Sequence, residues 1–436
     1  MRPAPGPFHA DGMRLNRAPG LLSVNNFHYR RAGSDAAFLD HDRLFRARGW
    51  QTAVFSMKHE ENLASPWQAH FVQEIELART HSAANRLRLA AKAVYSLEAR
   101  RRLSGLLTRF RPDVVHVHSV YHHLSPAVLP ALKRQGVPII LTAHDYKLAC
   151  PAYKMFDGKQ ICEACRPGSV APLIRKRCIH GSLAMSSLVA FETILHRWLG
   201  SYLDTVSSIV CPSRFLMAKL IDWGWPPERL TCIVNFFDPD IWRPRFEPGK
   251  YFLYFGRLAP EKGLATLVRA AAISRQPVKI VGWGQMLQEL RSLTTLLDAP
   301  VELIDRVDAG RLAELIQQAR VVVLPSEWYE NASLAVLESF ACGKPVIASR
   351  IGGNPELVIA GTNGWLFQAG NHEELAALMT QAADESESDL QSRGRAAHDW
   401  VHRHRGPDRY FDSMTALYRS LGARVGTPAD LAGAAP

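Results

Sequence analysis

Twice along the chain, short and almost wholly apolar runs alternate with longer stretches of helical periodicity. That serial repeat constrains the fold more than any other feature. In the first half the runs are GLLSVNNF (20–27), TAVFSM, DVVHVHSV and PIILTAHD, and the helical stretch DAAFLDHDRLFRARG, closed by Gly49, separates the first two. The second half repeats the scheme with KYFLYFG, VKIVGWG, VELI, VVVLPS and KPVIAS, spaced by GLATLVRAAAIS, QMLQELRSL and LAELIQQA. Runs this continuous suit parallel strands covered by helices on both faces. Two such units in series predict an α/β protein of two Rossmann-like domains. The length of 436 residues agrees, being more than one core usually organises. The Pro-rich stretch FFDPDIWRPRFEPG, near 235–248, marks the junction. We therefore expect a leader at 1–18, a first domain at 19–240, a second at 241–405, a terminal helix at 406–425 and a tail at 426–436.

The charge is lopsided. Residues 1–240 carry 31 Lys and Arg against 19 Asp and Glu, whereas the remainder is balanced at 21 against 22. Part of the excess lies in 79–111, where Arg86, Arg88, Lys92, Arg100, Arg101, Arg102 and Arg109 are set among Leu87, Leu89, Val94, Leu97, Leu103, Leu106 and Leu107. That pattern fits amphipathic helices with a basic face, suited either to solvent or to anionic lipid. No recognition motif accompanies the charge, so nucleic acid is not an expected partner. No apolar run reaches the ~18 residues of a membrane span, and the start lacks a signal peptide's apolar core. The expectation is a cytoplasmic protein with peripheral contact at the inner membrane face.

Two motifs in the second half carry chemistry. FGRLAPEKG (255–263) follows a strand and precedes a helix, so Arg257 and Lys262 would join backbone amides in an anion site suited to a diphosphate. EWYENASLAVLESFACGKPVI (327–347) places Glu330 and Glu338 at either end of an apolar stretch. Asn331 as N-cap, Gly343 beyond the end and Pro345 as a stop predict a helix over 332–342. Eight residues at ~1.5 Å rise put the two acids roughly 12 Å apart. Glycosidase acid pairs sit at ~5–5.5 or ~6.5–9.5 Å, which excludes that reading. The spacing suits one carboxylate at each end of an extended ligand. VGWGQ (281–285) completes no dinucleotide fingerprint, and its glycines read as tight-turn residues.

In the first half, RAGSDAAFLD puts Gly33 between strand and helix, the usual position for a phosphate-facing loop. LTAHDYKLACP ends a strand with His144 and Asp145, and a histidine at that edge of a parallel sheet faces the ligand crevice. His116, His118, Tyr121, His122 and His123 lack ligand spacing and read as packing or cleft lining. Cys150, Cys162, Cys165 and Cys178 form C-x11-C-x2-C-x12-C, an insertion over 150–178. The C-x2-C knuckle and its flanking cysteines could complete a tetrahedral set for structural zinc. An iron–sulfur cluster and no metal are the alternatives, and a cytosolic setting disfavours disulfides.

FGRLAPEKG, PSEWYENASLAVLE, CGKPVIAS and GGNPELV, in that order, resemble the donor-binding half of retaining glycosyltransferases of family 4, which have the GT-B fold, two Rossmann-like domains facing a cleft. The interval from Glu330 to Glu338 matches that family's E-x7-E signature. The resemblance implies that Arg257 and Lys262 bind the donor's diphosphate, Glu330 the transferred sugar and Glu338 the ribose. It gives His144 an orienting and charge-stabilising role beside the sugar, and it requires no catalytic metal. In the family the loop holding Gly33 usually carries two glycines, and here Ala32 replaces the first. The Cys-containing insertion is similar to one in exopolysaccharide-type members. The implied activity is retaining transfer of a hexose-type sugar from a UDP- or GDP-linked nucleotide donor to a glycan or lipid-linked acceptor, in polysaccharide biosynthesis. A sugar phosphorylase on the same fold, or a non-catalytic sugar-nucleotide-binding protein, are the alternatives.

Overall fold

Two six-stranded parallel sheets form in series. A computed structural model describes residues 17–75 and 82–425; all but the end of the expected leader, the whole expected tail and Arg79 lie outside these. The first sheet comprises β1 (Gly20–Val24), β2 (Gln51–Phe55), β3 (Val114–Val117), β4 (Ile139–Thr142), β5 (Ser208–Cys211) and β6 (Leu230–Cys232), in the order β2-β1-β3-β4-β5-β6. The second comprises β7 (Phe252–Arg257), β8 (Val278–Trp283), β9 (Val301–Ile304), β10 (Val321–Leu324), β11 (Val346–Ser349) and β12 (Gly364–Phe367), in the order β12-β11-β10-β7-β8-β9. This is the GT-B architecture. In each sheet the order reverses beside the first strand, at β1/β3 and at β7/β10, and ligands of such sheets bind at the strands' C-terminal ends there. The loops holding Gly33, His144, Arg257 and Glu330 all leave such ends.

The apolar runs become strands because both faces are covered: every residue of β3, β4, β10 and β11 is buried. The first run ends earlier than its eight-residue length suggests, at Val24. Asn25 turns out of the sheet, its amide donating to Asp35 Oδ1 at 2.9 Å and to Phe27 O at 2.8 Å. Strands β5, β6 and β12 have three or four residues each and gave no distinct apolar run.

The chain then returns. After the helix Glu387–Arg405, the last helix, Pro407–Ser420, packs on the first sheet rather than the second. Tyr410, Met414 and Tyr418, four residues apart and so on one face, are buried with Leu21, Phe45, Trp50, Val114 and Ile140. The two hydroxyls are satisfied in the core: Tyr410 meets His41 Nδ1 at 2.8 Å, and Tyr418 meets His116 Nδ1 at 2.5 Å. Thr142 Oγ1 lies 2.7 Å from the other His116 nitrogen. Burial holds both rings neutral, His41 down to about 3 and His116 well below its ordinary value. The two crossings between units touch, with Phe237 N–H donating to Arg405 O at 3.3 Å.

Candidate active site

Arg257 is the last residue of β7. The chain then makes one tight turn at Pro260–Lys262, passes through Gly263 at φ +66° and enters the helix Leu264–Ser274. Glu261 inside this turn is buried and takes both Arg257 Nη2 and Lys154 Nζ at 3.0 Å. Burial opposes its charge, but Lys154 first and Arg257 after it hold its carboxyl below the ordinary range. Lys262 points across to the loop after β10, where its Nζ lies 2.6 Å from Glu330 Oε1. Ser326 Oγ donates to the same oxygen at 2.5 Å. Desolvation resists ionisation of Glu330, yet the Lys262 ammonium and these hydrogen bonds outweigh it and keep the pKa low. Arg257 and Lys262 thus already face carboxylates, and an incoming diphosphate would exchange partners rather than meet bare cations.

The helix after Glu330 starts later than expected, at Leu334, and ends at Ala341. Asn331 is not its cap. Its amide instead crosses to the first unit, donating to Ala143 O at 3.0 Å and His144 O at 3.3 Å, while its oxygen accepts from Ser213 Oγ at 2.8 Å. A side chain committed to three partners across the boundary cannot also turn back on its own backbone. Nor is the Asn331-Ala332-Ser333 sequence available for glycosylation, since Asn331 is buried. Gly353 N–H donates to Glu330 O at 2.7 Å, holding the segment extended. A Cβ on Gly352 would lie 2.2 Å from Glu330 O, and its φ is +60°. Gly352→Ala should displace Glu330 and lower the melting temperature by several degrees, measurable by calorimetry. Gly282, by contrast, is no turn residue: it lies within β8, where a Cβ would sit 1.9 Å from Gly256 O of the neighbouring strand.

Glu338 lies on the Leu334–Ala341 helix, half-buried, with no ion-pair or side-chain hydrogen-bond partner among the described residues. Burial pushes its carboxyl up to about 8, against a lowering by Arg30 and with a further rise from Asp40. Both of those residues belong to the first unit, so Glu338 faces across the cleft. Gly33 opens the helix Gly33–Ala47 close by; a Cβ there would meet Leu334 at an ordinary 3.6 Å, so local geometry does not demand glycine.

His144 leaves the end of β4, its Nε2 2.8 Å from His118 Nδ1 and its ring stacked on that of His118. Burial lowers its pKa to about 4. With burial disfavouring the imidazolium, hydrogen bonding from a neutral ring is the means by which His144 would fill the role expected for it. His118 Nε2 is buried without a partner, and a bare lone pair there costs less than an N–H. We therefore assign the shared proton to His118 Nδ1 and the His144 proton to its own Nδ1.

Residues 39–241 match the family model described as Glycosyltransferase Family 4, and 239–399 match Glycosyl transferases group 1. An uncharacterised glycosyltransferase of Methanocaldococcus jannaschii, MJ1607, is 35% identical over 63% of this chain and 67% of its own length. The chain belongs to the family 4 glycosyltransferases. The amylovoran biosynthesis glycosyltransferase AmsK of Erwinia amylovora is 26% identical over 41% of this chain and 47% of that protein. Among solved structures, Anabaena HepE in complex with UDP-glucose superposes with a TM-score of 0.63 at 18% identity, covering 92% of this chain and 99% of that one. Against several curated relatives the chain spans 47–64% of their length.

The histidines off the cleft are packing residues. His41, His116 and His118 are the one set of three or more candidate ligands among the described residues whose donor atoms lie within 4.8 Å of one another. Both nitrogens of His41 and of His116 are already hydrogen-bonded, to Tyr410, Tyr418 and Thr142. Sequence reasoning missed the residues that join the halves. Asn331 was legible only as a cap. Lys154 and Glu163 sit in the Cys-containing insertion, where spacing says nothing of reach. Glu163 Oε1 accepts from Tyr329 OH at 2.9 Å and pairs with Lys219 at 2.7 Å.

Proposed function

We propose that this chain moves a hexose-type sugar, with retention, from a nucleotide diphosphate sugar to a glycan or lipid-linked acceptor in polysaccharide biosynthesis. The observation that carries the reading is the Lys262–Glu330 pair at 2.6 Å, followed directly by Asn331 hydrogen-bonded to the His144 carbonyl. The groups we propose for phosphate and for sugar thereby share one edge of the cleft. On this reading Arg257 and Lys262 take the diphosphate, Glu330 the sugar and Glu338 the ribose hydroxyls, while His144 donates Nδ1–H to the sugar. HepE's complex with UDP-glucose supports a donor of this class. The relatedness to an amylovoran enzyme supports a polysaccharide product.

Glu330 is held by Lys262 and Ser326 and is a poor nucleophile. We therefore read the reaction as a same-face displacement. The bond from C1 to the diphosphate oxygen breaks as the bond from C1 to the acceptor oxygen forms, and the acceptor's proton passes to the departing diphosphate. The cations and backbone amides supply the electrostatic stabilisation, so no catalytic metal is needed. A thermal-shift panel of UDP, GDP, ADP and their sugar conjugates tests this. At 100 times the dissociation constant a ligand adds about 2.7 kcal/mol, a shift of a few degrees. One base should stand out. No shift with any nucleotide, from folded protein, would defeat the proposal.

We place the acceptor at the inner face of a membrane. No helix among the described residues is long and apolar enough to cross one. The helix Leu183–Trp198 instead exposes Leu183, Phe191, Ile194 and Trp198 along one side, Trp198 at 80%. It packs beside the helix Ala83–Val94, which presents Leu87 between Arg86 and Arg88. The basic cluster read from sequence is less available: Arg100 donates to Tyr95 OH at 2.7 Å and Arg102 to Glu98 at 2.9 Å. Phe191→Glu with Trp198→Glu should therefore cut flotation with phosphatidylglycerol vesicles at least tenfold. Unchanged flotation, or a dimer that the same pair dissolves, would remove the membrane from this face.

A further inference from the structure

The four cysteines of the insertion come to one place. Cys150, Cys162, Cys165 and Cys178 line a cavity of about 10 Å³, closed by Ala152, Pro172 and Leu173. That is roughly the room one ion or one water needs. None of the four is in a disulfide. Backbone N–H groups of Met155, Ala152 and Lys154 are directed at the Cys150 sulfur. Lys176 Nζ lies 3.2 Å from Cys162 Sγ. Apolar packing contributes little here. The local core is small, with Ala152, Leu173, Ile179, Val189 and Ala190 buried. Tyr153, Met155, Arg177 and His180 all adopt positive φ, which non-glycine residues avoid. No three of the sulfurs lie mutually within 4.8 Å, so an ion at about 2.3 Å from each would draw them inward.

The insertion also touches the donor motifs at two points. Lys154, four residues after Cys150, pairs with Glu261, the same carboxylate that holds Arg257. Glu163, inside the C-x2-C knuckle, accepts from Tyr329 OH, next in sequence to Glu330. We propose that the four cysteines bind one structural zinc ion and that the zinc-held knuckle clasps the donor loops through Lys154–Glu261 and Glu163–Tyr329. The first part stands on the cysteines alone; the second rests on the sugar-transfer reading above.

The test starts with protein purified without a metal-affinity step, its metal measured by plasma mass spectrometry and its thiols titrated after denaturation. One zinc per chain is expected, and none in Cys162→Ser/Cys165→Ser. Should that variant not fold, native mass spectrometry of the wild type before and after a chelator reads the same quantity. No zinc with seven free thiols, disulfides among the four, or iron with visible absorbance would overturn the site. The clasp is read separately, with UDP as probe. Glu163→Ala should keep its zinc while the UDP dissociation constant rises about fivefold, the scale of one hydrogen bond's net contribution. Chelation of the wild type should do the same. Unchanged affinity in both would overturn the clasp. Stoichiometric zinc with no nucleotide of any base bound would defeat the sugar-transfer reading and leave the metal site standing.

Discussion

Lys262→Ala is expected to lower stability by about 2–4 kcal/mol at pH 7, because it strands the Glu330 carboxylate in a buried position without its cation. The loss should depend on pH in a stated direction. In the wild type the Glu330 pKa lies below its ordinary 4.5, so the pair's contribution is present above that value and fades as pH falls through the folded pKa. Without Lys262, burial dominates and Glu330 takes up a proton more readily. The deficit should therefore be largest at neutral pH and shrink towards pH 4.5. Sugar transfer should fall 10²- to 10³-fold, as for removal of a group aimed at developing charge. Urea unfolding at pH 5 and 7, with turnover, measures both. An unchanged midpoint at pH 7 would mean that Glu330 and Lys262 are solvated separately.

The second large effect separates stability from binding. The Glu338 carboxyl stays protonated to about 8 in the folded chain, against 4.5 for a solvated glutamate. Between those values the folded state binds a proton that the unfolded state has lost, so folding weakens as pH rises. Glu338→Gln removes that dependence. The variant should match the wild type at pH 4.5 and exceed it by roughly 1–3 kcal/mol at pH 8.5. At pH 8.5, where the wild-type carboxyl is ionised, the variant's nucleotide affinity should be 10- to 100-fold lower, because an amide cannot accept two charge-assisted hydrogen bonds from a ribose. Melting curves from pH 4.5 to 9, paired with nucleotide titrations, show whether the two move apart. Parallel melting curves would mean that Glu338 is ionised throughout.

The architecture was legible because parallel strands covered on both faces are apolar throughout, as KYFLYFG and VVVLPS are, and such runs recur in series. Strands β5, β6 and β12 were not, since Ser208, Thr231 and Gly364 open or interrupt them and leave no continuous apolar run. The candidate site was legible where identity and spacing suffice: Lys262 and Glu330, read from separate motifs, meet at 2.6 Å. It was not legible where function depends on reach across the cleft. Asn331 looks like a cap in any one-dimensional reading, and only the approach of Ala143 and His144 turns it outward. The ionisation states were equally hidden, because burial decides them: His144 is neutral and Glu338 holds its proton, although neither neighbourhood shows in the sequence.

The return of the Pro407–Ser420 helix to the first sheet has a consequence for how the chain is made. Tyr410, Met414 and Tyr418 close the core over Phe45 and Trp50, so the first unit is completed by residues that follow the whole of the second. During synthesis that half waits, its apolar side uncovered, while the whole of the other half emerges and folds. A fragment ending at the junction would stay in that waiting state, and a ribosome stalled before Tyr410 would hold it there too. The same arrangement leaves two adjacent strands of chain between the halves, bonded at Phe237 and Arg405. Two crossings held side by side should favour a hinge-like swing of the halves over a twist.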